Sequence, residues 1–338
     1  MKIVSPSVEV LRTGYETDPM TPEQFVEKVG RTCYKSEDKI TAESAPKFVR
    51  NLINRGHEAM IEHWSLIFRA RSDTVYEQIW SDWQTFNEQS FKSTNPVAED
   101  SFMPKLRFTA DYGADRFIIS GNIRAWRDFI RGYMRNNQDS IMGFMFEVMD
   151  AAPVFFEDIR GQHADTRPEG RTPWLIPIAV RDLQGDLEHM VHHDVTLKFV
   201  CDRGVSHELV RHRAASFAQE STRYCNYSKG KHGSEITVVR PSWCAQYGSE
   251  WLAWKRACLR TEDEYMTLIS YGCTPQQARA VLNNSLKTEV IMTGTIGHWH
   301  HFFSLRCSTE AQPDMREVAC MAREILQTSL NNYIEKEN

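Results

Sequence analysis

Residues 203–228 read RGVSHELVRHRAASFAQESTRYCNYS, and this stretch concentrates charged, hydroxyl and aromatic side chains more densely than any other part of the chain. The pattern predicts a helix whose start is capped by Ser206. Residues three and four apart on a helix share a face, so Glu208, Arg211 and His212 are expected to project together. The first half of the stretch therefore predicts a polar helix face.

The second half of the stretch contains QESTRY at residues 219–224, which is too polar for a core helix. Arginine can bind phosphate through two hydrogen bonds, Ser and Thr hydroxyls donate to oxyanions, and a Tyr ring can stack on a base. This composition suits a ligand with a phosphate and a planar ring. A solvated charged helix followed by a loop is the alternative, and the spacing alone does not choose the ligand.

The chain has 338 residues, with 40 Lys and Arg against 45 Asp and Glu and a formal net charge of −5. This length supports about two domains, or one enlarged enzyme domain with a large core. A mildly acidic chain is poorly suited to coat nucleic acid, so its arginines are expected to act locally. We therefore predict no nucleic-acid partner.

The N-terminus, MKIVSPSVEV, lacks the apolar core of a signal peptide, and no uninterrupted apolar run approaches the roughly 18 residues of a membrane span. The eight cysteines form no CxxC pair, which argues against a disulfide framework and a zinc site. The paired histidines have no carboxylate or thiolate at fitting intervals. We predict a cytoplasmic protein with reduced thiols, no membrane partner and no metal.

Outside this stretch, the chain predicts both helices and strands. Hydrophobic periodicity indicates two helices over residues 22–54, and alternation indicates a strand over residues 62–71. A second strand is predicted over residues 195–200, shortly before the stretch that begins at residue 203. The remaining elements are a helix that includes YEQIWSDWQTF and loops over residues 93–104 and 161–174.

The letters RHR at residues 211–213, followed after seven residues by Ser221, match the RHR-x7-S signature of the flavin-dependent thymidylate synthases. The RY pair at residues 223–224 continues that pattern. Further blocks resemble the same family in order: GRTCY at 30–34, RGHEAMIEH at 55–63, ARAVL at 278–282, and FFSLR at 302–306 followed by AQ at 311–312. The chain is therefore similar to this family at both ends.

The resemblance implies an α/β fold of the α+β type, with a twisted mixed or antiparallel sheet flanked by helices. Residues 1–70 and 191–338 would form the catalytic fold. Residues 71–190 would be a largely helical insertion, since short members of the family run almost directly from the first strand to the signature helix.

The family resemblance also implies an activity. A flavoprotein of this kind would convert dUMP to dTMP with FAD, taking the carbon from 5,10-methylenetetrahydrofolate and the electrons from NADPH. The flavin carries the hydride chemistry, and the protein orients and polarises the substrate. The resemblance further implies a homotetramer in which each site is built from several subunits.

Residue roles follow from the same resemblance. The residues expected to bind FAD are His57, Arg211, His212, Arg213 and Gln219. The residues expected to bind dUMP are Glu208, Arg211, Ser221, Arg223, Arg279 and Arg306. Of these, Arg306, Ser221 and His57 are expected to take part most directly in catalysis.

A further flavin contact is expected inside the insertion. Asn122 and Arg124 have the N-x-R-xxxx-F spacing of a flavin-contacting stretch that the family carries just before its F-x-N-L-R run. At that usual place this sequence has Thr295-Ile296-Gly297 instead. An ordinary amphipathic helix with a capped start is the alternative for Asn122 and Arg124.

Several positions depart from the family pattern, among them Glu208 where Gln is usual and Cys33 where Ser is common. A carboxylate facing a phosphate would repel it, so we predict that Glu208 is paired with a neighbouring Arg or His. Cys33 and Cys225 could suggest a thiolate nucleophile, but this family does not need one.

Three alternative functions stay open at this point. A related enzyme could hydroxymethylate or methylate another pyrimidine nucleotide with the same residues. A nucleic-acid-binding module could use Arg211 and Arg213 for recognition, with Tyr224 stacking on bases. A sensor could bind flavin or folate without catalysis.

Overall fold

Strand β7, Asp194–Asp202, runs directly into helix α8, Arg203–Leu209, in the computed structural model of the chain. The structure describes residues 1–17, 19–92, 106–135, 142–161, 165, 167, 169–228 and 234–334. The chain divides into two compact units. The signature unit comprises Met1–Thr13, Lys28–Ile40 and Val195–Asn338, and the second unit comprises Gly14–Glu27 and Thr41–Asp194.

The secondary structure alternates between short strands and helices along the chain. The strands are β1 Lys2–Val4, β2 Ser7–Arg12, β3 Ser65–Ala70, β4 Arg107–Asp111, β5 Arg116–Asn122, β6 Leu175–Ile178, β7, β8 Ser216–Gln219, β9 Thr237–Val239 and β10 Lys287–Thr295. The α-helices are α1 Pro22–Tyr34, α2 Ser44–Asn54, α3 Asp73–Lys92, α4 Ile123–Arg135, α5 Met142–Ala151, α6 Glu157–Arg160, α7 Gly185–His192, α8, α9 Ser249–Ser270, α10 Pro275–Ala278, α11 Ile296–Arg306 and α12 Pro313–Ile334.

The signature unit is built on a four-stranded sheet in the order β2, β7, β10, β8. Strand β2 is antiparallel to β7, and β8 is antiparallel to β10. Val195, Leu197 and Phe199 of β7 are buried in one cluster with Trp299 of α11 and Met315 of α12. Burial of each such side chain contributes about 1.5–3 kcal/mol to the stability of the fold. Because residues of α8 and α11 belong to the same cluster, this core holds both helices against the sheet.

The second unit contains an antiparallel sheet in the order β4, β5, β3, β6. Its core includes Phe68 of β3, Trp126 and Phe129 of α4, and Phe144 of α5. The rings of Phe68 and Trp126 meet edge to face with centroids 5.4 Å apart. Aromatic packing therefore joins the sheet to the helices of this unit.

The predicted fold class is confirmed, since antiparallel sheets are flanked by helices. The two helices predicted over residues 22–54 are α1 and α2, and the strand predicted over residues 195–200 is part of β7. The strand predicted over residues 62–71 begins later, at Ser65, because Glu58–His63 forms a 3-10 turn.

The predicted start of the signature helix is wrong. Helix α8 is capped by Asp202, whose carboxylate accepts from the backbone N–H of Val205 at 2.7 Å. Ser206 lies inside the helix, is buried, and donates to the carbonyl of Arg203 at 2.8 Å. An aspartate at the end of a strand has both the acceptor and the extended backbone that a cap needs, so it replaces the serine in this role.

The predicted shared helix face of Glu208, Arg211 and His212 is also wrong. The helix ends at Leu209, and the RHR triplet lies in the turn that follows. Because the helix ends before Arg211 and His212, the helical spacing of three and four residues from Glu208 does not place them on one helix face.

The segment 71–190 contains helices and also contributes β4, β5 and β6, which the sequence analysis did not predict. The helix that includes YEQIWSDWQTF is confirmed within α3. The loop predicted over residues 93–104 lies outside the described residues. The described parts of residues 161–174 contain neither helix nor strand. The division of the family fold at residues 70 and 190 stays a prediction.

Helices that are both long and apolar enough to cross a membrane do not occur among the described residues.

Candidate active site

Arg306, the last residue of α11, joins Glu208 to the RHR turn. Its Nη1 donates to the Glu208 carboxylate at 2.6 Å, its Nη2 to the Glu208 carbonyl at 3.4 Å, and its Nε to Nε2 of His212 at 2.9 Å. The predicted pairing of Glu208 with a neighbouring arginine is thereby confirmed. Three hydrogen bonds that Arg306 donates to these two residues fix the plane of its guanidinium group.

His212 accepts the bond from Arg306 and therefore carries its ring proton on Nδ1. Burial, together with the charges of Arg306 and His301, lowers the pKa of His212 to about 4. The imidazole also meets the ring of Phe302 edge-on with centroids 4.9 Å apart. A neutral histidine at this position orients Arg306 without adding a second positive charge.

Ser221, Arg223 and Arg279 are brought together around one loop of the signature unit. Arg279 donates to the hydroxyl of Thr222 at 3.4 Å, and Arg223 donates to the amide oxygen of Gln276 at 3.1 Å. Both arginines are exposed. Two exposed guanidinium groups beside two hydroxyls suit a phosphate, which accepts charge-assisted hydrogen bonds.

Tyr224 ends this loop and is 56% exposed. Its ring meets that of Tyr34 with centroids 5.5 Å apart, and the guanidinium of Arg223 lies 5.6 Å from its centroid. An exposed aromatic ring that is supported from one side can accept a planar ligand on the other.

Sequence reasoning missed the charged residues beneath the loop. Lys35, Glu220, Lys287 and Glu289 form ion pairs with one another, and Arg203 donates to the carbonyl of Glu220 at 3.4 Å. The five residues come from four separate segments of the chain, so no local spacing reveals them. The only sequence signal is the charge of Glu220 immediately before Ser221.

Gln219 lies on β8 opposite Val290 of β10. Its side-chain nitrogen donates to the hydroxyl of Ser206 at 2.9 Å and to that of Thr288 at 3.2 Å. These two bonds use both hydrogens of the amide nitrogen. A flavin contact by Gln219 would therefore use its side-chain oxygen.

In the second unit, His57 precedes the 3-10 turn Glu58–His63 and is exposed. Glu58 accepts from Arg127 at 3.2 Å and from Arg131 at 3.0 Å, and the next glutamate of the motif, Glu62, pairs with Arg124 at 2.7 Å. The two glutamates of the motif therefore form ion pairs with arginines of α4, and the His57 side chain is exposed.

Asn122 ends β5 and caps α4, because its side-chain oxygen accepts from the backbone N–H of Ala125 at 2.8 Å. Thr295 is placed in the same way between β10 and α11, with its hydroxyl accepting from the N–H of His298 at 3.2 Å. The two stretches that the family pattern relates thus share a strand, a capping residue and a helix. The capped amphipathic helix is observed, and the flavin contact of Asn122 and Arg124 stays a prediction.

The cysteines near the loop are poor nucleophiles. Burial raises the pKa of Cys33 to about 12, and burial with the charge of Glu220 raises the pKa of Cys225 to about 12. Both thiols are therefore protonated at neutral pH, and a thiolate mechanism is disfavoured.

Among the histidines, His192 is a core residue of the second unit. It is buried, with Nε2 2.9 Å from the hydroxyl of Thr109 and Nδ1 2.7 Å from that of Ser120. Burial lowers the pKa of His192 to about 3. Within the described parts of the chain, His, Cys, Asp and Glu side chains form no group of three or more that could hold a metal ion.

An α+β fold in which Arg306 is fixed by Glu208 and His212, and in which Arg223 and Arg279 lie at one loop, is suited to an anionic ligand. Residues 17–106 and 169–330 match the family model of the thymidylate synthase complementing protein, Thy1. These segments make up more than half of the chain, and the chain belongs to this family. The resemblance seen in the signature is thereby confirmed.

Individual relatives match over shorter stretches. The chain is 35% identical to a flavin-dependent thymidylate synthase of Pyrococcus furiosus over 119 residues, which is 35% of this chain and 48% of the relative. It is 34% identical to one of Geobacter sulfurreducens over 117 residues, 35% of this chain and 49% of the relative. With one of Saccharolobus solfataricus the identity is 32% over 146 residues, 43% of this chain and 53% of the relative. The chain thus spans about half the length of the curated relatives it matches.

Proposed function

We propose that this protein is an FAD-dependent thymidylate synthase that reductively methylates dUMP to dTMP. The proposed carbon donor is 5,10-methylenetetrahydrofolate, and the proposed reductant is NADPH. Family membership and the names of the relatives support this reaction.

One observation carries the proposal: the exposed side chains of Arg223 and Arg279 lie at the loop that carries the half-buried Ser221. A nucleoside monophosphate presents a dianionic group, and guanidinium and hydroxyl donors bind such a group in the geometry that its oxygens prefer. In the proposed complex the Ser221 hydroxyl and the two arginines hold the phosphate of dUMP.

Arg306 is proposed to bind the pyrimidine ring. A guanidinium has five N–H donors, and the bonds to His212 and Glu208 use three of them. Two donors can therefore reach carbonyl oxygens of uracil while the group stays fixed. Donors that are already oriented stabilise the negative charge that develops on the ring and need little rearrangement during the reaction.

The exposed side chains of Arg211 and Arg213 fit FAD, because a diphosphate accepts bidentate bonds from arginine. When bound and reduced, FAD supplies the hydride. The residues proposed to hold it are His57, Arg211, His212, Arg213, Gln219, Asn122 and Arg124. Of these, His57 is proposed to hold the isoalloxazine ring in register.

The assembly and location are also proposals. A homotetramer with each site drawn from several subunits, acting in the cytoplasm without a nucleic-acid or membrane partner, is consistent with the family resemblance. The eight free cysteines fit a reducing compartment.

The test is an anaerobic reaction of the purified protein. The visible spectrum reports bound FAD, and NADPH is then added to reduce it. After addition of dUMP and methylenetetrahydrofolate, the mass of the nucleotide product is measured by mass spectrometry. Formation of dTMP with flavin reoxidation supports the proposal. A hydroxymethylated product, or turnover of another pyrimidine nucleotide only, would assign a related reaction. The proposal is contradicted if the protein lacks flavin and binds DNA, or if the flavin is reoxidised at a rate that does not depend on added nucleotide.

A further inference from the structure

Four charged side chains of the signature unit form a largely buried network beneath the loop at residues 221–224. Lys35 contacts Glu289 at 2.6 Å and Glu220 at 3.7 Å, and Lys287 contacts Glu220 at 2.9 Å and also Glu289. Glu220 is 3% exposed. Two positive and two negative charges alternate among these four, and Lys35 also contacts the more exposed Glu37 at 3.8 Å.

Two members of the network, Glu289 and Lys287, have pKa values shifted toward their charged forms. Burial by itself would raise the pKa of Glu289, but the ammonium groups of Lys287 and Lys35 lower it to about 2. Burial would lower the pKa of Lys287, and the carboxylates of Glu220 and Glu289 raise it instead. Removing one lysine would leave a carboxylate without its full compensation in a poorly solvated place.

Lys35 has a backbone conformation that a lysine rarely adopts. Its φ is +50°, in the left-handed region that favours glycine, at the residue after α1. The backbone N–H of Ser36 donates to the carbonyl of Arg31 at 3.0 Å, as at a helix end where glycine is usual. The side chain that takes the place of glycine here reaches Glu289 and Glu220.

Residues 33–35 touch the loop in three successive ways. The carbonyl of Cys33 accepts from the backbone N–H of Ser221 at 3.1 Å, the ring of Tyr34 meets that of Tyr224, and Lys35 reaches Glu220. On the other side, the backbone N–H of Glu220 donates to the carbonyl of Glu289 at 2.8 Å. The residue directly before Ser221 is therefore held through both its backbone and its side chain.

We propose that Lys35 and Lys287 are positioning residues for the phosphate of the nucleotide. By holding Glu220 between two ammonium groups, they fix the backbone at Ser221. The loop hydroxyls and the guanidinium of Arg223 are thereby positioned to bind the same phosphate. They also compensate the carboxylate of Glu220, which would otherwise repel a dianionic phosphate. This inference rests on the proposed function, since it concerns how that nucleotide is bound.

The test compares Lys35→Gly with Lys35→Arg in the FAD-loaded protein. Glycine suits the left-handed backbone and removes the ammonium group, so a change in behaviour reports the lost charge and not added strain. Lys198→Gln is the matched control, because Lys198 pairs with Glu9 at 2.5 Å in the same unit, on strands β7 and β2. The readouts are the Kd for dUMP, kcat and KM, FAD content, and amide hydrogen exchange of residues 219–225.

We expect Lys35→Gly to raise the Kd and KM for dUMP by about tenfold or more, with kcat at saturation within about threefold of wild type. FAD content stays unchanged, and amide exchange at residues 219–225 becomes faster. Lys35→Arg and Lys198→Gln stay close to wild type. Adding Glu220→Gln to Lys35→Gly removes the uncompensated carboxylate and restores part of the dUMP affinity.

The possible results separate failure of the positioning role from failure of the proposed function. If the wild type binds dUMP and Lys35→Gly binds it equally well, with unchanged amide exchange, the positioning role is wrong and the proposed function stands. If Lys35→Gly loses dUMP affinity and FAD together, the network has a general structural role and the inference is wrong. If the wild type binds no pyrimidine nucleoside monophosphate, both the proposed function and the inference are wrong.

Discussion

The guanidinium of Arg306 donates to the carboxylate of Glu208 across 2.6 Å, which joins the last residue of α11 to the signature helix α8. Glu208 is thereby neutralised by a partner that also contacts the RHR turn through His212. A glutamate where the family commonly has glutamine is compatible with an anionic substrate because this pairing removes its repulsion.

Glu208→Gln should change dUMP affinity little, by less than about threefold, because the amide oxygen can still accept from Arg306 and the lost charge was already compensated. Titration of the FAD-bound protein with dUMP measures the effect. Arg306→Lys is the comparison, and it should weaken binding by about tenfold or more, since a lysine cannot reproduce the planar fork. A large gain in affinity for Glu208→Gln would mean that the carboxylate repels the nucleotide despite its partner.

His212 should titrate at a higher pH once Arg306 is removed. Burial and the nearby positive charges lower its pKa to about 4, so Arg306→Gln removes one cause and leaves burial in place. An NMR titration of the protein labelled with ¹³C-histidine, with the resonance assigned by His212→Asn, measures the shift. An unchanged or lower pKa in Arg306→Gln contradicts the contact.

The same depressed pKa predicts a direction for stability against pH. His212 binds its proton more weakly in the folded protein than in the unfolded chain, where its pKa is near 6.5. Its contribution is therefore present above pH 6.5 and is lost as the pH falls through about 4. Urea unfolding between these pH values should show a smaller loss of unfolding free energy for His212→Asn than for the wild type.

Arg127 should be essential to the stability of the second unit. It is fully buried and donates to Asp158 at 2.9 and 2.8 Å and to Glu58 at 3.2 Å. Arg127→Met should lower the free energy of unfolding by about 3–5 kcal/mol, because it leaves carboxylates without their buried partner. Arg50→Met is the control: the Arg50 pair with Glu157 has both side chains 48% exposed. Loss of such an exposed pair should lower the free energy of unfolding much less. Equal losses in the two variants would show that the buried pair has no special importance.

Two substitutions of Asn122 can distinguish its role as the cap of α4 from its proposed contact with the flavin. Asn122→Asp keeps an acceptor for the N–H of Ala125 and removes the amide donor, whereas Asn122→Ala removes both. We expect the Asp variant to keep its stability and to bind FAD more weakly, and the Ala variant also to lose about 1 kcal/mol of stability. Fluorescence titration with FAD and urea unfolding distinguish the two effects. Normal FAD affinity in the Asp variant would leave Asn122 as a cap only.

Much of the local structure followed from hydrophobic periodicity. Helices α1 and α2 and strand β7 were predictable because their buried faces repeat with the period of their own backbone. Strands β4, β5 and β6 were not, because they are short, β5 is buried along most of its length, and each needs partners from distant parts of the chain. The sequence pattern does not choose between Ser206 and Asp202 as the cap of α8, because both residue types are acceptable caps.

The sequence by itself determined the family, since RHR and Ser221 at their fixed spacing and the ordered blocks on either side are properties of the linear chain. Only the tertiary structure decided which charges meet. Glu208 and Arg306 are 98 residues apart along the chain, and Glu220 and Lys287 are 67 apart. These pairs form because strands β8 and β10 and helices α8 and α11 pack on one core. Electrostatic pairing depends on distance in space, and that distance is set by the burial of apolar side chains far from the charges themselves.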